Sequence, residues 1–171
     1  MIYYRPKDLT ECVDRYGPIQ LAPDKRLYWP AEKTWVKACY LPREISHFLK
    51  SAITQQPIER IFCNTDIHDP LLAAMDNLIT SGAHKELKTF DGCFNVRYVR
   101  GSDQVLSYHS YAIAIDLNAK DNPLGGNSSW SETFIRCFTD IGWIWGGHFR
   151  VRKDPMHFEW VGFPRPPKPN A

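Results

Sequence analysis

Apolar side chains recur at helical spacing in four stretches of this chain and at strand spacing in four shorter ones. Pro6 to Tyr16 reads as a short helix closed by Gly17 and Pro18. Pro42 to Ile53 places Ile45, Phe48, Leu49 and Ile53 on one helical face, with Pro42 suited to the first turn, where its missing N–H is not needed. Asp69 and Pro70 open a third helix as N-cap and first helical residue. Leu71, Leu72, Met75, Leu78 and Ile79 then form its apolar stripe, and Gly82 ends it. Ser129-Trp-Ser-Glu132 is a capping-box pattern ahead of Phe134, Ile135, Phe138 and Ile141, and Gly142 closes that helix. Ile58–Cys63, Phe94–Val99, Tyr111–Leu117 and Met156–Val161 alternate in polarity or are rich in β-branched and aromatic residues, and read as strands. Helices come early and strands late, with one helix between the last two strands. That order predicts an α+β fold with a small, largely antiparallel sheet flanked by helices.

At 171 residues the chain suits one domain with a real core. Residues 1–162 form that domain in this reading, and the Pro-rich residues 163–171 an extended C-terminal arm. A net charge of +2 is too small to argue for nucleic acid, and no apolar run reaches the length of a membrane span. The first eight residues turn polar and charged with no apolar leader, so a cytoplasmic, monomeric chain without a signal peptide is expected. The five cysteines are scattered without a CxxC pair, which points to buried free thiols rather than a cysteine zinc knuckle.

Two constellations could carry chemistry: Ser107-Tyr-His109-Ser-Tyr-Ala-Ile-Ala-Ile-Asp116 and Asp154-Pro-Met-His157-Phe-Glu159. Two imidazoles and one carboxylate suit zinc, which takes nitrogen and oxygen donors and keeps a fourth position for water. Geometry sets a condition. Seven residues of straight strand span about 23 Å at about 3.3 Å each. His109 and Asp116 can share one metal only if the chain turns back between them, around Ser110, Tyr111 and Ala112. Ala112 and Ala114 would then share the side of Asp116, with Ile113 and Ile115 facing the core. Asp154, made extended by Pro155, is placed to move a proton near His157; Glu159 is the alternative acid, or a partner that orients His157. Ser107 reads as a structural hydroxyl, since no base is arranged to activate it. Trp143 and Trp145 read as core. His47, His68 and His84 read as plain surface or core residues, and His148 as a residue that could line the cleft.

The pattern Ser107-x-His109-x-x-Ala112-x-Ala114-x-Asp116 resembles the SxHxxGxAxD signature of the M15 peptidases, the D-Ala-D-Ala carboxypeptidase and L-alanyl-D-glutamate endopeptidase family. Asp154-x-x-His157 resembles that family's second motif, and Gly142-Trp-Ile-Trp-Gly-Gly-His148-Phe resembles the segment before it in short phage-type members. The likeness spans about residues 90–160, and Ala112 stands where the family usually has Gly. That substitution is mild if the position has an ordinary φ and damaging if it needs φ above zero. The resemblance implies a Hedgehog/DD-peptidase-like domain, one zinc on His109, Asp116 and His157, and peptidoglycan stem peptides as substrate. Asp154 would be the general base and acid. An Arg on an earlier strand would bind substrate carboxylate or oxyanion; by strand parity only one of Arg97 and Arg100 can face the metal, and Arg97 is preferred. An endopeptidase of the phage endolysin type is the expected activity, acting on the wall once released from the cytoplasm. The alternatives are a D-alanyl-D-alanine carboxypeptidase, a non-catalytic zinc-binding wall domain of the same fold, and an unrelated metal hydrolase such as a nuclease.

Overall fold

The computed structural model describes residues 3–4, 9–29 and 33–164. The chain begins with a short strand β1 (Tyr3–Tyr4), a helix α1 (Leu9–Tyr16) and a two-strand hairpin, β2 (Gln20–Leu21) and β3 (Leu27–Tyr28). Strand β4 (Val36–Tyr40), helix α2 (Arg43–Phe48) and strand β5 (Lys50–Ser51) follow. Next come β6 (Arg60–Asn64), the long helix α3 (His68–Ser81) and β7 (Thr89–Gly92). The last part carries β8 (Ala114–Leu117), α4 (Glu132–Thr139), β9 (Trp143–Trp145), β10 (His157–Trp160) and β11 (Phe163–Pro164). The α+β reading holds: a five-stranded sheet in the order β5-β7-β8-β10-β9 is antiparallel throughout except for the β5–β7 pair.

The second, third and fourth helices depart from their expected bounds for local reasons. The second is half the expected length, because Leu49 turns extended and Lys50–Ser51 pair with β7; Ile53 is 93% exposed instead of facing the core. Helix α3 starts at His68, one residue before the expected Asp69 cap, as the continuation of a 3-10 turn that Asn64 caps by accepting from the Asp66 N–H. Its end is as expected, with Gly82 in the left-handed region. Helix α4 is capped by Ser131 rather than Ser129, through a bond from the Phe134 N–H to its hydroxyl at 3.1 Å. The acid that completes the cap is Glu86, which accepts from the Ser131 N–H at 2.9 Å from across the fold. The first helix is seen from Leu9; the start of its expected span lies outside the described residues.

Residues 94–99 form no regular strand, only a bridge between Tyr98 and Leu106. Strands also occur early, in the antiparallel β4–β6 pair, so helices and strands are not segregated along the chain. Phe163–Pro164 pair with Tyr3–Tyr4, so the start of the expected arm is a strand; residues 165–171 lie outside the described residues. Among the described residues no helix is long and apolar enough to cross a membrane.

The core packs the sheet against α3 and α4. Phe158 on β10 meets Phe138 of α4 at a ring separation of 4.4 Å, and Trp130 stacks on Phe134 at 3.9 Å. Asn77 of α3 donates to the Cys137 carbonyl of α4, and the Trp143 indole donates to the Pro70 carbonyl, so the two helices and β9 are tied by satisfied polar groups. Trp143 and Trp145 are both buried, as expected. Because side chains alternate along a strand, Phe158 pointing into this aromatic core sends His157 and Glu159 to the other face.

Candidate active site

Three elements bring the two motifs together. After Ser107 the chain enters a 3-10 turn, Tyr108–Tyr111, whose His109 N–H is capped by the Ser107 hydroxyl. Ala112 then takes φ +53° and ψ 35°, and its N–H bonds back to the His109 carbonyl. Strand β8 starts only after that reversal, so the required fold-back occurs at the residues expected to make it. Ala112 is therefore a corner residue, not a member of the strand face shared by Ala114 and Asp116. A left-handed L-residue costs about 1–2 kcal/mol, which gives the family's usual Gly its physical reason and makes Ala112 a strained replacement.

The corner is held from several sides. The Ser110 hydroxyl accepts from the Arg97 N–H at 3.0 Å and donates to the Arg97 carbonyl at 2.9 Å. The Trp29 indole donates to the Ser110 carbonyl. Asn64 donates its side-chain amide to Tyr111 and its backbone N–H to the Ala112 carbonyl.

Strand pairing supplies the other half. Antiparallel β8 and β10 set His157 directly opposite Asp116, and Glu159 opposite Ala114. His157 Nδ1 lies 3.0 Å from Asp116 Oδ1, His109 Nε2 lies 3.2 Å from the same oxygen, and the two ring nitrogens are 3.1 Å apart. The outward nitrogens are engaged too. His109 Nδ1 is 2.8 Å from the Cys93 carbonyl, which can only accept, so this nitrogen carries the proton and Nε2 presents a lone pair. His157 Nε2 meets Glu159 Oε2 at 3.0 Å and donates to it.

One carboxylate oxygen and two inward ring nitrogens thus form a triangle of acceptors that requires a positive centre. Without a metal, a proton on His157 supplies it. Burial disfavours that charge, but the Asp116 and Glu159 carboxylates outweigh burial and raise the His157 pKa to about 10. Asp116 is also buried against its charge, and the neighbouring His109 and His157 rings hold it well below the usual carboxylate range. A metal ion fits the same triangle. Donors about 2.0–2.1 Å from a tetrahedral zinc lie roughly 3.3–3.4 Å from one another, close to the edges seen here. His109, Asp116 and His157 are one of two groups among the described residues whose donor atoms could hold a metal.

Asp154 sits beside this triangle on a rigid loop. Its N–H donates to the Gly146 carbonyl at 2.9 Å, and its own carbonyl accepts from the His157 N–H at 3.0 Å. The Trp130 and Trp145 indoles both donate to the Pro155 carbonyl, at 3.0 and 2.8 Å. Gly146 permits the approach: a Cβ there would lie 2.4 Å from the Asp154 carbonyl oxygen. Oδ1 of Asp154 is buried with no hydrogen-bond partner. Burial pushes its carboxyl above the ordinary range; His157 opposes that rise and Asp116 adds to it.

The site opens into a cleft of about 480 Å³ lined by Asp116, Asp154 and His157, with His109 beneath at 2% exposure. Both Arg97 and Arg100 line it. Residues 94–99 are not a regular strand, so strand parity does not limit the cleft to one of them. Arg97 donates Nη1 to the Tyr98 carbonyl, while the Arg100 charge acts on Asp154. Glu159 orients His157 from the cleft wall. His148 does not line the cleft; it is exposed, with its ring against Trp145 at 4.9 Å. The roles of the Cys93 carbonyl and of Gly146 had no signal in the sequence, since each acts through the backbone.

In comparison with known proteins, residues 100–160 match the model of an M15 family described as D-alanyl-D-alanine carboxypeptidase. No significant match is found among curated proteins or among solved structures. The matched stretch contains His109, Asp116, Asp154 and His157, so over residues 100–160 this chain is similar to the M15 peptidases, a family of hydrolases.

Proposed function

We propose that this chain is a zinc-dependent peptidase that hydrolyses peptidoglycan stem peptides, cutting between L-Ala and D-Glu as phage-type lysis enzymes do. The observation that carries the reading is the buried, unpartnered Oδ1 of Asp154 next to the acceptor triangle of His109, Asp116 and His157. A structural zinc site would not need such a carboxylate; hydrolysis does.

His109 Nε2, His157 Nδ1 and Asp116 Oδ1 would hold the zinc, with the Cys93 carbonyl and Glu159 fixing both rings. Zinc bound there supplies Lewis-acid polarisation of the scissile carbonyl and acidifies water. Asp154 takes a proton from the attacking water and returns it to the departing amine. Burial raises its pKa, which favours its holding the proton between the two transfers. Arg97 and Arg100 bind substrate carboxylate, or the developing oxyanion, from the cleft wall. In this reading the enzyme is made in the cytoplasm and meets its substrate in the wall after release.

The endopeptidase choice rests on the likeness of Gly142–Phe149 to short phage-type members. The carboxypeptidase reading has the description of the matched family in its favour. Digesting purified sacculi and identifying the new termini by mass spectrometry separates the two. New D-Glu amino termini support the endopeptidase, whereas release of free D-Ala establishes the carboxypeptidase in its place.

A further inference from the structure

A second group of metal-ligating side chains lies outside the cleft. Strands β4 and β6 pair antiparallel with Cys39 opposite Ile61 and Cys63 opposite Lys37, so the two cysteines are diagonal neighbours on one face. That face turns inward at Cys39, Ile61 and Cys63, which are buried, while Tyr40 and Phe62 on the other face are exposed. The Asn64-capped turn then brings the chain back, so that His68, the first residue of α3, reaches over the strand pair. Both sulfurs and a ring nitrogen of His68 lie within 4.8 Å of one another.

Two further observations point to a ligand. His68 Nε2 is buried and has no hydrogen-bond partner, a costly state for an imidazole nitrogen. The two thiols are free and share a hydrogen bond, and diagonal positions on an antiparallel pair are about 7–8 Å apart at Cα. That exceeds the usual disulfide range of about 4.4–6.8 Å, so the arrangement favours a bridging cation over a disulfide.

We propose that Cys39, Cys63 and His68 form a second metal site that takes a thiophilic divalent cation, such as Zn2+, through two thiolates and one imidazole. Binding releases the two thiol protons to solvent and leaves the cysteines unoxidised. The ion would staple the β4–β6 pair to the start of α3. Through Asn64, next to Cys63, it would also steady the corner at Tyr111 and Ala112 that presents His109. No CxxC spacing announces such a site, because Cys63 lies 24 positions after Cys39 and only strand pairing brings the two together.

The test is a Cd2+ titration of the full chain under reducing conditions, followed by thiolate-to-metal charge-transfer absorbance. The cleft triangle contains no sulfur, so the band reports thiolate ligation, and its loss in Cys63→Ala assigns it to this site. A saturable band is expected in the wild type and in His157→Ala. It should vanish in Cys63→Ala and need at least tenfold more Cd2+ in His68→Ala. His68 is only partly buried, so that variant is informative even if the cysteine variant fails to fold. Absence of the band at saturating Cd2+ overturns the proposal, as does a band that His68→Ala leaves unchanged.

Discussion

His157 Nδ1 and Asp116 Oδ1 face each other at 3.0 Å across paired antiparallel strands, each residue the other's direct partner in the β8–β10 register. Because the pair is built into a ladder, its spacing is fixed by backbone hydrogen bonds rather than by loop conformation. A one-residue slip of either strand would turn its own member of the pair toward the aromatic core. The third donor, His109, comes from a corner, and its placement depends on the conformation of Ala112.

Metal binding should release protons. His157, with its pKa raised to about 10, is protonated at neutral pH and must become neutral to ligate. Its proton is lost on binding, so zinc affinity at the cleft should rise with pH up to about 10. Calorimetry of a Cys63→Ala chain in buffers of different ionisation enthalpy measures the release. About one proton from His157 is expected, and pH-independent uptake would contradict it.

Asp154→Asn should keep the metal and lose the chemistry. Loss of a general acid–base group costs about 10²–10⁴ in rate, whereas the triangle contains no atom of Asp154. Metal content of the variant by elemental analysis and its turnover on sacculi should therefore part company. Retained turnover would remove Asp154 from the mechanism.

Glu159→Gln replaces the carboxylate that receives the His157 Nε2 proton. Loss of such an orienting group typically costs about 10–100-fold in metal affinity. Competition with a chelator of known affinity measures this, and an unchanged affinity would make Glu159 a bystander.

Ala112 substitutions should sort by their tolerance of positive φ. Ala112→Gly removes about 1–2 kcal/mol of left-handed strain but gives back about 0.4–1 kcal/mol through the freer unfolded chain. A small rise in melting temperature is expected. Ala112→Val, β-branched at a fully buried left-handed position, should lower it by several degrees and weaken metal binding. Thermal denaturation of the three proteins compares them; a valine variant as stable as the wild type would remove strain from the account.

Much of the site was legible because its residues are chemically distinctive. Two His and two Asp stand in recognisable spacings, and the reach of a strand already forced a turn near Ala112. The fold was legible where local signals decide, as at Gly82 after α3. It was not where partners are distant. Glu86 supplies the acid of the α4 cap from 45 residues away, and β5 ends α2 early by pairing with β7. Strand parity would admit only one of Arg97 and Arg100, but residues 94–99 form no regular strand and both line the cleft. Cys39, Cys63 and His68, unremarkable in sequence, meet only through the β4–β6 register.

The central claim is that His109, Asp116 and His157 together hold a catalytic zinc, and anomalous diffraction from zinc-loaded crystals on either side of the zinc edge tests it most directly. The account predicts a peak about 2.0–2.2 Å from His109 Nε2, His157 Nδ1 and an oxygen of Asp116, beside the Asp154 carboxylate. A fully loaded protein with no peak at that position would contradict it.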